Sequence, residues 1–219
     1  MGYQNITITP GYQLFTVTFK DVSNAQYDVQ DVKVLNTDGT EYATLNKVRI
    51  QKLSAAGEYG TTYNYRLSKG GWCNGSTVLE RGEVLFADGE GVALNNLTAG
   101  DLVLQVSGAV NLTPVSTLVA AGSYQIIGNM TPVEVDIQDV VPYDGDTVYG
   151  TLNKIRIQKL GADGEYGTTY NWRESKGGWC NGATFIGRDV VTLKPGESVA
   201  VFNADTAKSV TLHFPSPVN

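Results

Sequence analysis

The sequence has little of what catalytic and metal-binding sites are usually built from. Its 219 residues include one histidine, two cysteines and two methionines. That leaves no serine or cysteine nucleophile with a credible histidine partner, and no convincing zinc site. It also lacks a HExxH motif and a phosphate-binding glycine loop. These absences predict a protein that is not an enzyme and that holds no metal or cofactor.

Long hydrophobic runs and helical stripes are missing as well. There is no stretch of 18 apolar residues, so no membrane span is predicted, and the N-terminus carries no signal sequence. Apolar residues nowhere recur with the 3.6-residue period of an amphipathic helix. Because the net charge of −6 would repel phosphate, nucleic acid is not predicted as a partner.

What the sequence does contain is a long internal repeat. Residues 44–75 return at residues 151–182 without a gap, at an offset of 107, and only five of the 32 positions differ. This repeat predicts two tandem domains, residues 1–114 and residues 115–219. Short β-branched and aromatic runs, with turn residues about every 8 to 12 positions, predict an all-β fold in which each domain is a β-sandwich or a small barrel.

The repeated stretch has the pattern of a long β-hairpin. Two arms rich in β-branched and aromatic residues flank a glycine-bearing loop at residues 54–60, and again at residues 161–167. Leu53 has the opposite parity to Val48 and Ile50 in the first arm. This change of parity predicts a β-bulge, which re-aims the side chains of that strand.

Two expectations concern elements outside the repeat. Residues 4–9 have the composition of an N-terminal strand, which could be inserted into the sheet of a neighbouring molecule. The turn at residues 98–101 resembles the turn at residues 194–197, since each precedes a strand with apolar residues at alternate positions. We therefore expect those two turns to be equivalent.

The repeated stretches are basic, whereas the rest of the chain is acidic. They carry 10 of the 16 Lys and Arg residues but only 4 of the 22 acidic residues, which leaves a charge of −12 on everything else. One interpretation is that the basic residues form the solvated face of a hairpin. The other is that Arg49 and Arg156 dock on the acidic flank of another copy, head to tail, giving filaments that weaken as salt is added.

The two cysteines occupy equivalent Gly-Gly-Trp-Cys-Asn-Gly turns, and three fates are open for them. Cys73 and Cys180 could form a disulfide within the chain if the turns lie close together. A bond between Cys73 of one molecule and Cys180 of the next would link subunits. Alternatively, both are unpaired thiols that pack as small hydrophobic side chains.

Four aromatic residues are candidates for an exposed binding surface. Tyr59 and Tyr166 lie in the hairpin loops, and Trp72 and Trp179 each follow a Gly-Gly pair. Exposed rings at these positions could stack on sugars, and two weak sites in one chain would gain avidity. This observation supports a tandem carbohydrate-binding, lectin-like module as the alternative to a self-associating structural protein.

Four short segments carry a resemblance to known proteins: GYQNITI at residues 2–8, PGY at 10–12, LKPGE at 193–197 and VTLHF at 210–214. In these segments the chain resembles a loose group of secreted bacterial β-domain repeat proteins, known mainly from Verrucomicrobia-type genomes. The resemblance implies export to the cell surface or the medium, with the signal peptide removed, and it assigns no ligand residues. We therefore expect a non-enzymatic structural protein, a self-associating surface or extracellular fibre subunit whose partner is itself, with glycans as the alternative partner.

Overall fold

The structure is a computed structural model, and it describes residues 2–20 and 26–216. Those ranges contain 24 β-strands and four 3₁₀ helices of three residues each, so the predicted all-β fold is confirmed. None of the helices in the described ranges is long and apolar enough to cross a membrane.

The strands fall into two groups, which we call the first half (residues 2–110) and the second half (residues 115–214). The first half contains β1 (Gly2–Ile8), β2 (Gly11–Thr16), β3 (Phe19–Lys20), β4 (Tyr27–Asp28), β5 (Lys33–Leu35), β6 (Val48–Leu53), β7 (Tyr59–Arg66), β8 (Gly71–Asn74), β9 (Thr77–Val78), β10 (Leu85–Phe86), β11 (Gly91–Asn96) and β12 (Leu102–Val110). The second half contains β13 (Val115–Val119), β14 (Tyr124–Gly128), β15 (Val135–Asp136), β16 (Val141–Asp144), β17 (Thr147–Val148), β18 (Ile155–Gln158), β19 (Tyr170–Arg173), β20 (Gly178–Asn181), β21 (Thr184–Phe185), β22 (Thr192–Leu193), β23 (Ser198–Asn203) and β24 (Val210–Phe214). The 3₁₀ helices are Val29–Asp31, Leu67–Lys69, Ile137–Asp139 and Glu174–Lys176.

Each half builds its own antiparallel sheets. The large sheet has the order β2-β11-β6-β7-β8-β9 in the first half and β14-β23-β18-β19-β20-β21 in the second. In the smaller sheet of the first half, β12 pairs with β1 on one side and with β3 and β5 on the other; the second half has the order β13-β24-β16-β17. Strands β4 and β10, and likewise β15 and β22, form two-stranded pairs. The predicted division at residues 114 and 115 lies between β12 and β13.

Each half has a hydrophobic core between its two main sheets. Fully buried side chains in the first core include Ile8, Val48, Trp72, Leu94 and Leu104. The second core has Val119, Ile155, Trp179, Val201 and Leu212. Buried and more exposed residues alternate along β12 and β13, as expected for sheets packed on one face. Strand β11 and most of β23 are instead buried on both faces, because the second face of each large sheet packs against the other half.

The predicted hairpin is present as β6 and β7. Their pairing shifts register between Gln51 and Leu53, which confirms the β-bulge expected from the parity of the first arm. Tyr65 on the second arm points into the core and is 4% exposed. In the second half the paired arms are shorter, and an isolated bridge joins Leu160 to Tyr166 beyond them.

Two expectations about local elements are wrong. The turn at residues 194–197 precedes β23, the counterpart of β11, so its equivalent is the turn at residues 87–90 rather than residues 98–101. In both turns a glutamate carboxylate accepts the first backbone N–H: Glu90 accepts from Ala87 and Glu197 accepts from Lys194, each at 3.0 Å. Residues 4–9 were also predicted to form a strand that inserts into a neighbouring molecule. The strand is present as β1, but Gly2–Ile8 pairs along its whole length with β12 of the same chain.

Candidate functional site

The repeated hairpins use their tips to hold the two halves together. The N–H of Tyr12 donates to the carbonyl of Ala162 at 2.9 Å, and the N–H of Tyr124 donates to the carbonyl of Ala55 at 2.9 Å. Gly57 lies against the ring of Tyr124 so closely that a Cβ on it would be 2.9 Å from a ring carbon. Each tip therefore binds the edge strand of the opposite half, and we call these two contacts the clasps.

A second pair of contacts lies at the other end of the same edge strands. The N–H of Thr16 donates to the carbonyl of Gly196 at 2.9 Å, and the N–H of Gly128 donates to the carbonyl of Gly89 at 3.0 Å. These bonds and those at the tips form matched pairs, as in an interface with two-fold symmetry. They satisfy main-chain donors on the outer edges of β2 and β14, which would otherwise be open to other strands.

An apolar cluster fills the centre of the interface between the halves. Its members come in matched pairs from the two large sheets: Leu14 and Ile126, Ala93 and Ala200, Leu53 and Leu160, and Tyr59 and Tyr166. The hydroxyls of Tyr59 and Tyr166 lie 3.4 Å apart where the two copies meet. Burial, followed by this hydrogen bond, raises the pKa of Tyr59. The two loop tyrosines predicted as sugar platforms thus belong to the contact between the halves.

The two tryptophans predicted to be exposed are buried, so their assignment as a stacking surface is wrong. Trp72 and Trp179 are both 0% exposed. The indole N–H of Trp72 donates to the carbonyl of Val32, and that of Trp179 to the carbonyl of Val140, each at 2.8 Å. Each ring therefore has its polar group satisfied inside its own core and offers nothing to a ligand.

A glutamine outside the repeat explains the Gly-Gly-Trp turn. The Gln30 amide donates to the carbonyls of Trp72 (2.9 Å) and Leu79 (2.8 Å), while its oxygen accepts from the N–H of Trp72 (3.0 Å). That oxygen occupies the place where Gly71 would carry a Cβ, so only glycine fits. Gln138 makes the same three bonds in the second half.

We call these three hydrogen bonds of Gln30, and those of Gln138, the glutamine clamp. It was not predicted from the sequence, although the sequence contains a signal for it. The pentapeptide Asp-Val-Gln-Asp-Val at residues 28–32 returns as Asp-Ile-Gln-Asp-Val at residues 136–140. In both copies its first aspartate also accepts the N–H of the glutamine at 2.8 Å. This shorter repeat therefore contains the residue that binds the Gly-Gly-Trp turn of the long repeat in each half.

Both cysteines are free and 0% exposed in the structure. The Sγ of Cys73 lies 3.6 Å from the carbonyl oxygen of Gly71, and that of Cys180 lies 3.7 Å from that of Gly178. Of the three fates considered, the structure has the unpaired buried thiols. The disulfide within the chain is not formed, and the full burial of both thiols disfavours a bond between molecules.

Lysines of the basic hairpins are paired within their own half. Lys52 contacts Glu90 at 2.8 Å, and Lys159 contacts Glu197 at 2.9 Å. The Lys52 ammonium also donates to the carbonyl of Leu85 at 2.6 Å. These lysines fasten the turns that contact the opposite half, and this use reduces the basic patch available to an outside partner.

The two candidate arginines lie in equivalent positions, each on the face of its large sheet that is turned away from its own core. Arg156 lies 5.8 Å from the centre of the Phe202 ring, within cation–π range, and that ring stacks on Tyr124. Arg49 pairs across strands with Asn95, and its Nε is buried without a hydrogen-bond partner in the part of the chain that the structure describes. Arg49 is therefore only partly exposed, whereas Arg156 is exposed to solvent beside the Phe202 ring.

The described residues contain no group of three or more His, Cys, Asp or Glu that could hold a metal ion. A groove of about 580 Å³ runs between β1, β2 and the turn at residues 194–197. Comparison with protein-family models, with curated proteins and with solved structures found no match to this chain. The resemblance to secreted bacterial repeat proteins therefore stays a prediction.

Proposed function

We propose that the protein is a non-enzymatic structural subunit, secreted or held at the cell surface, that associates with further copies of itself. The observation that carries this proposal is the use made of the repeated stretch. Its apolar residues pack in the two cores and in the contact between the halves. A repeat that served catalysis or ligand binding would be expected to leave a matched pair of open sites.

The clasp makes the two halves suitable as one building block. Matched hydrogen bonds and an apolar centre restrain the halves, whereas tandem domains joined only by a linker move relative to each other. A block of fixed shape can repeat in an assembly with regular geometry. This is the property that a surface layer or a fibre requires of its subunit.

Carbohydrate binding is the alternative, and one observation supports it. The residues that line the groove between β1, β2 and the turn at residues 194–197 include the amides and hydroxyl of Gln4, Thr7 and Gln13, together with apolar side chains and the charged Lys194 and Glu197. Such groups can hydrogen-bond to sugar hydroxyls. However, Trp72 and Trp179, two of the candidate stacking rings, are buried in the cores.

The mode of association is expected to depend little on salt. The head-to-tail contact between basic hairpins and an acidic body loses support, because Lys52 and Lys159 are already paired with glutamates. Main-chain pairing of strands is hardly screened by salt, whereas repulsion between copies that each carry a charge of −6 is screened. Added salt should therefore leave association unchanged or strengthen it.

Light scattering and electron microscopy of the full chain at about 0.1 M and about 1 M salt test the proposal. We expect species larger than a monomer at both salt concentrations as the protein concentration rises. A glycan array run on the same preparation tests the alternative. A chain that stays monomeric throughout and binds a glycan would replace the structural proposal with the carbohydrate-binding one.

A further inference from the structure

Strand β1 is the edge of its sheet, and the direction of its main-chain groups follows from its neighbour. On β12, the N–H of Ser107 donates to the Tyr27 hydroxyl at 3.1 Å, and the Ser107 carbonyl accepts from that hydroxyl at 3.0 Å. The main chain of Ser107 thus points away from β1. In an antiparallel ladder, its partner Tyr3 must then point away from β12.

Alternate residues of β1 share this orientation. The N–H and C=O groups of Tyr3, Asn5 and Thr7 point to the open side of the strand, whereas those of Gln4 and Ile6 pair with β12. Residues 4–7 all line the groove beside β1. Because side chains of successive strand residues lie on opposite faces, a groove lined by all of them runs along the backbone edge.

This edge lacks the devices that usually prevent strands from pairing. Gly2–Ile8 contains no charged residue and no proline, and its register with β12 is unbroken. Lysine, proline and bulges are the common means of protecting an edge. The edges of β2 and β14, by contrast, are covered by the opposite half, and β9, β17 and β21 are only two residues long. Strand β13, the counterpart of β1 in the second half, is also an uncharged edge but has five residues where β1 has seven.

We propose that β1 pairs antiparallel with β1 of a second copy, about a two-fold axis through Asn5. Asn5 then lies opposite Asn5 of the second copy, and Tyr3 lies opposite Thr7 of the second copy. All three residues have their main-chain groups on the open side, so each opposed pair can exchange both of its hydrogen bonds. The smaller sheets of two molecules become one continuous sheet.

A second copy suits this edge for reasons of charge and shape. Each molecule carries a net charge of −6, so copies repel each other where acidic surfaces meet. Strand β1 itself has no charged residue, and the charges of Lys194 and Glu197 in the groove beside it cancel. Tyr3 is 71% exposed, and the pairing places its ring beside a β-branched threonine, a favourable cross-strand pair. This inference rests on the proposed self-association and names the surface that produces it.

Cross-linking of the full chain tests the register directly. Residues opposed in a hydrogen-bonded pair have Cα atoms about 5.5 Å apart, which a disulfide can bridge. We expect Asn5→Cys to form a covalent dimer under mild oxidation. Gln105→Cys is the matched control, because Gln105 lies beside Asn5 on the same outer face but on β12, away from the open edge. Equal dimer formation by both variants would overturn the proposed register.

Proline at Asn5 tests the same surface without a covalent bond. The N–H of Asn5 points outward, so Asn5→Pro removes no hydrogen bond to β12 while it blocks the open edge. We expect association to weaken at least about tenfold by light scattering. Thr7→Lys, which leaves the backbone unchanged, should have the same effect.

The outcomes separate the inference from the proposed function. If the wild type associates and both variants associate equally well, β1 is not the contact, and self-association stands without it. If the wild type is monomeric at every concentration, both proposals fail. A monomer that binds glycans in the groove beside β1, and loses them in Thr7→Lys, would assign this edge to sugar instead.

Discussion

At the scale of single residues, the conspicuous side chains of the repeat serve the interior. Trp72 follows two glycines, a pattern that predicts an exposed turn, yet the ring is 0% exposed. The glycines are needed because Gln30 must approach the turn closely enough to bond the Trp72 main chain. From the sequence, the turn was predictable but the burial was not, since the partner lies 42 residues away.

Replacing the clamp should therefore destabilise the first half. Gln30→Ala leaves the N–H of Trp72 and the carbonyl of Leu79 without their partner, whereas the carbonyl of Trp72 keeps the N–H of Leu79 at 3.0 Å. We expect a loss of about 2–4 kcal/mol in the free energy of unfolding. Gln51→Ala is the matched control, because its amide bonds only the exposed hairpin carbonyl of Gly60. Urea denaturation measures both. A similar loss in the two variants would mean that the buried hydrogen bonds of Gln30 stabilise the fold no more than the exposed one of Gln51.

At the scale of elements, period and parity predicted what is local. The hairpin of β6 and β7 and its bulge near Leu53 follow from the sequence, because side-chain alternation is a property of the strand itself. The use of the hairpin tip was not predictable. A glycine loop such as residues 54–60 looks like a solvent-exposed turn until the opposite half is placed against it.

Two glycines with the same backbone conformation can isolate the contribution of the tip. Gly57 and Gly39 both have φ of +86°, but a Cβ on Gly39 meets nothing within 4 Å, whereas one on Gly57 meets the Tyr124 ring at 2.9 Å. Alanine at either site incurs the left-handed penalty of about 1–2 kcal/mol. We expect Gly57→Ala to cost about 1–3 kcal/mol more than Gly39→Ala in urea denaturation, because the clasp must open. Equal losses of unfolding free energy in the two variants would show that the hairpin tip can move away from Tyr124 without destabilising the protein.

At the scale of the whole molecule, the sequence predicts two copies but not how they meet. The repeat indicates equivalent folds, yet the contacts between the halves bring together residues far apart in the chain, such as Tyr59 and Tyr166, which are 107 positions apart. In the sequence, the two tyrosines could equally belong to a core or to a binding site. Only the placement of one large sheet against the other assigns them to the interface, and that placement depends on both halves at once.

If the apolar centre couples the halves, the wild type should unfold in a single calorimetric transition. Tyr59→Ala combined with Tyr166→Ala removes both rings from that centre, at about 2 kcal/mol each, and we expect the transition to split into two as the halves unfold separately. The control is Tyr59→Phe combined with Tyr166→Phe, which removes the hydroxyl contact at 3.4 Å but keeps the apolar packing. It should retain one transition, because packing rather than that long hydrogen bond joins the halves. Two transitions in the phenylalanine variant would assign the coupling to the hydroxyls, and one transition in the alanine variant would assign it to the main-chain clasps.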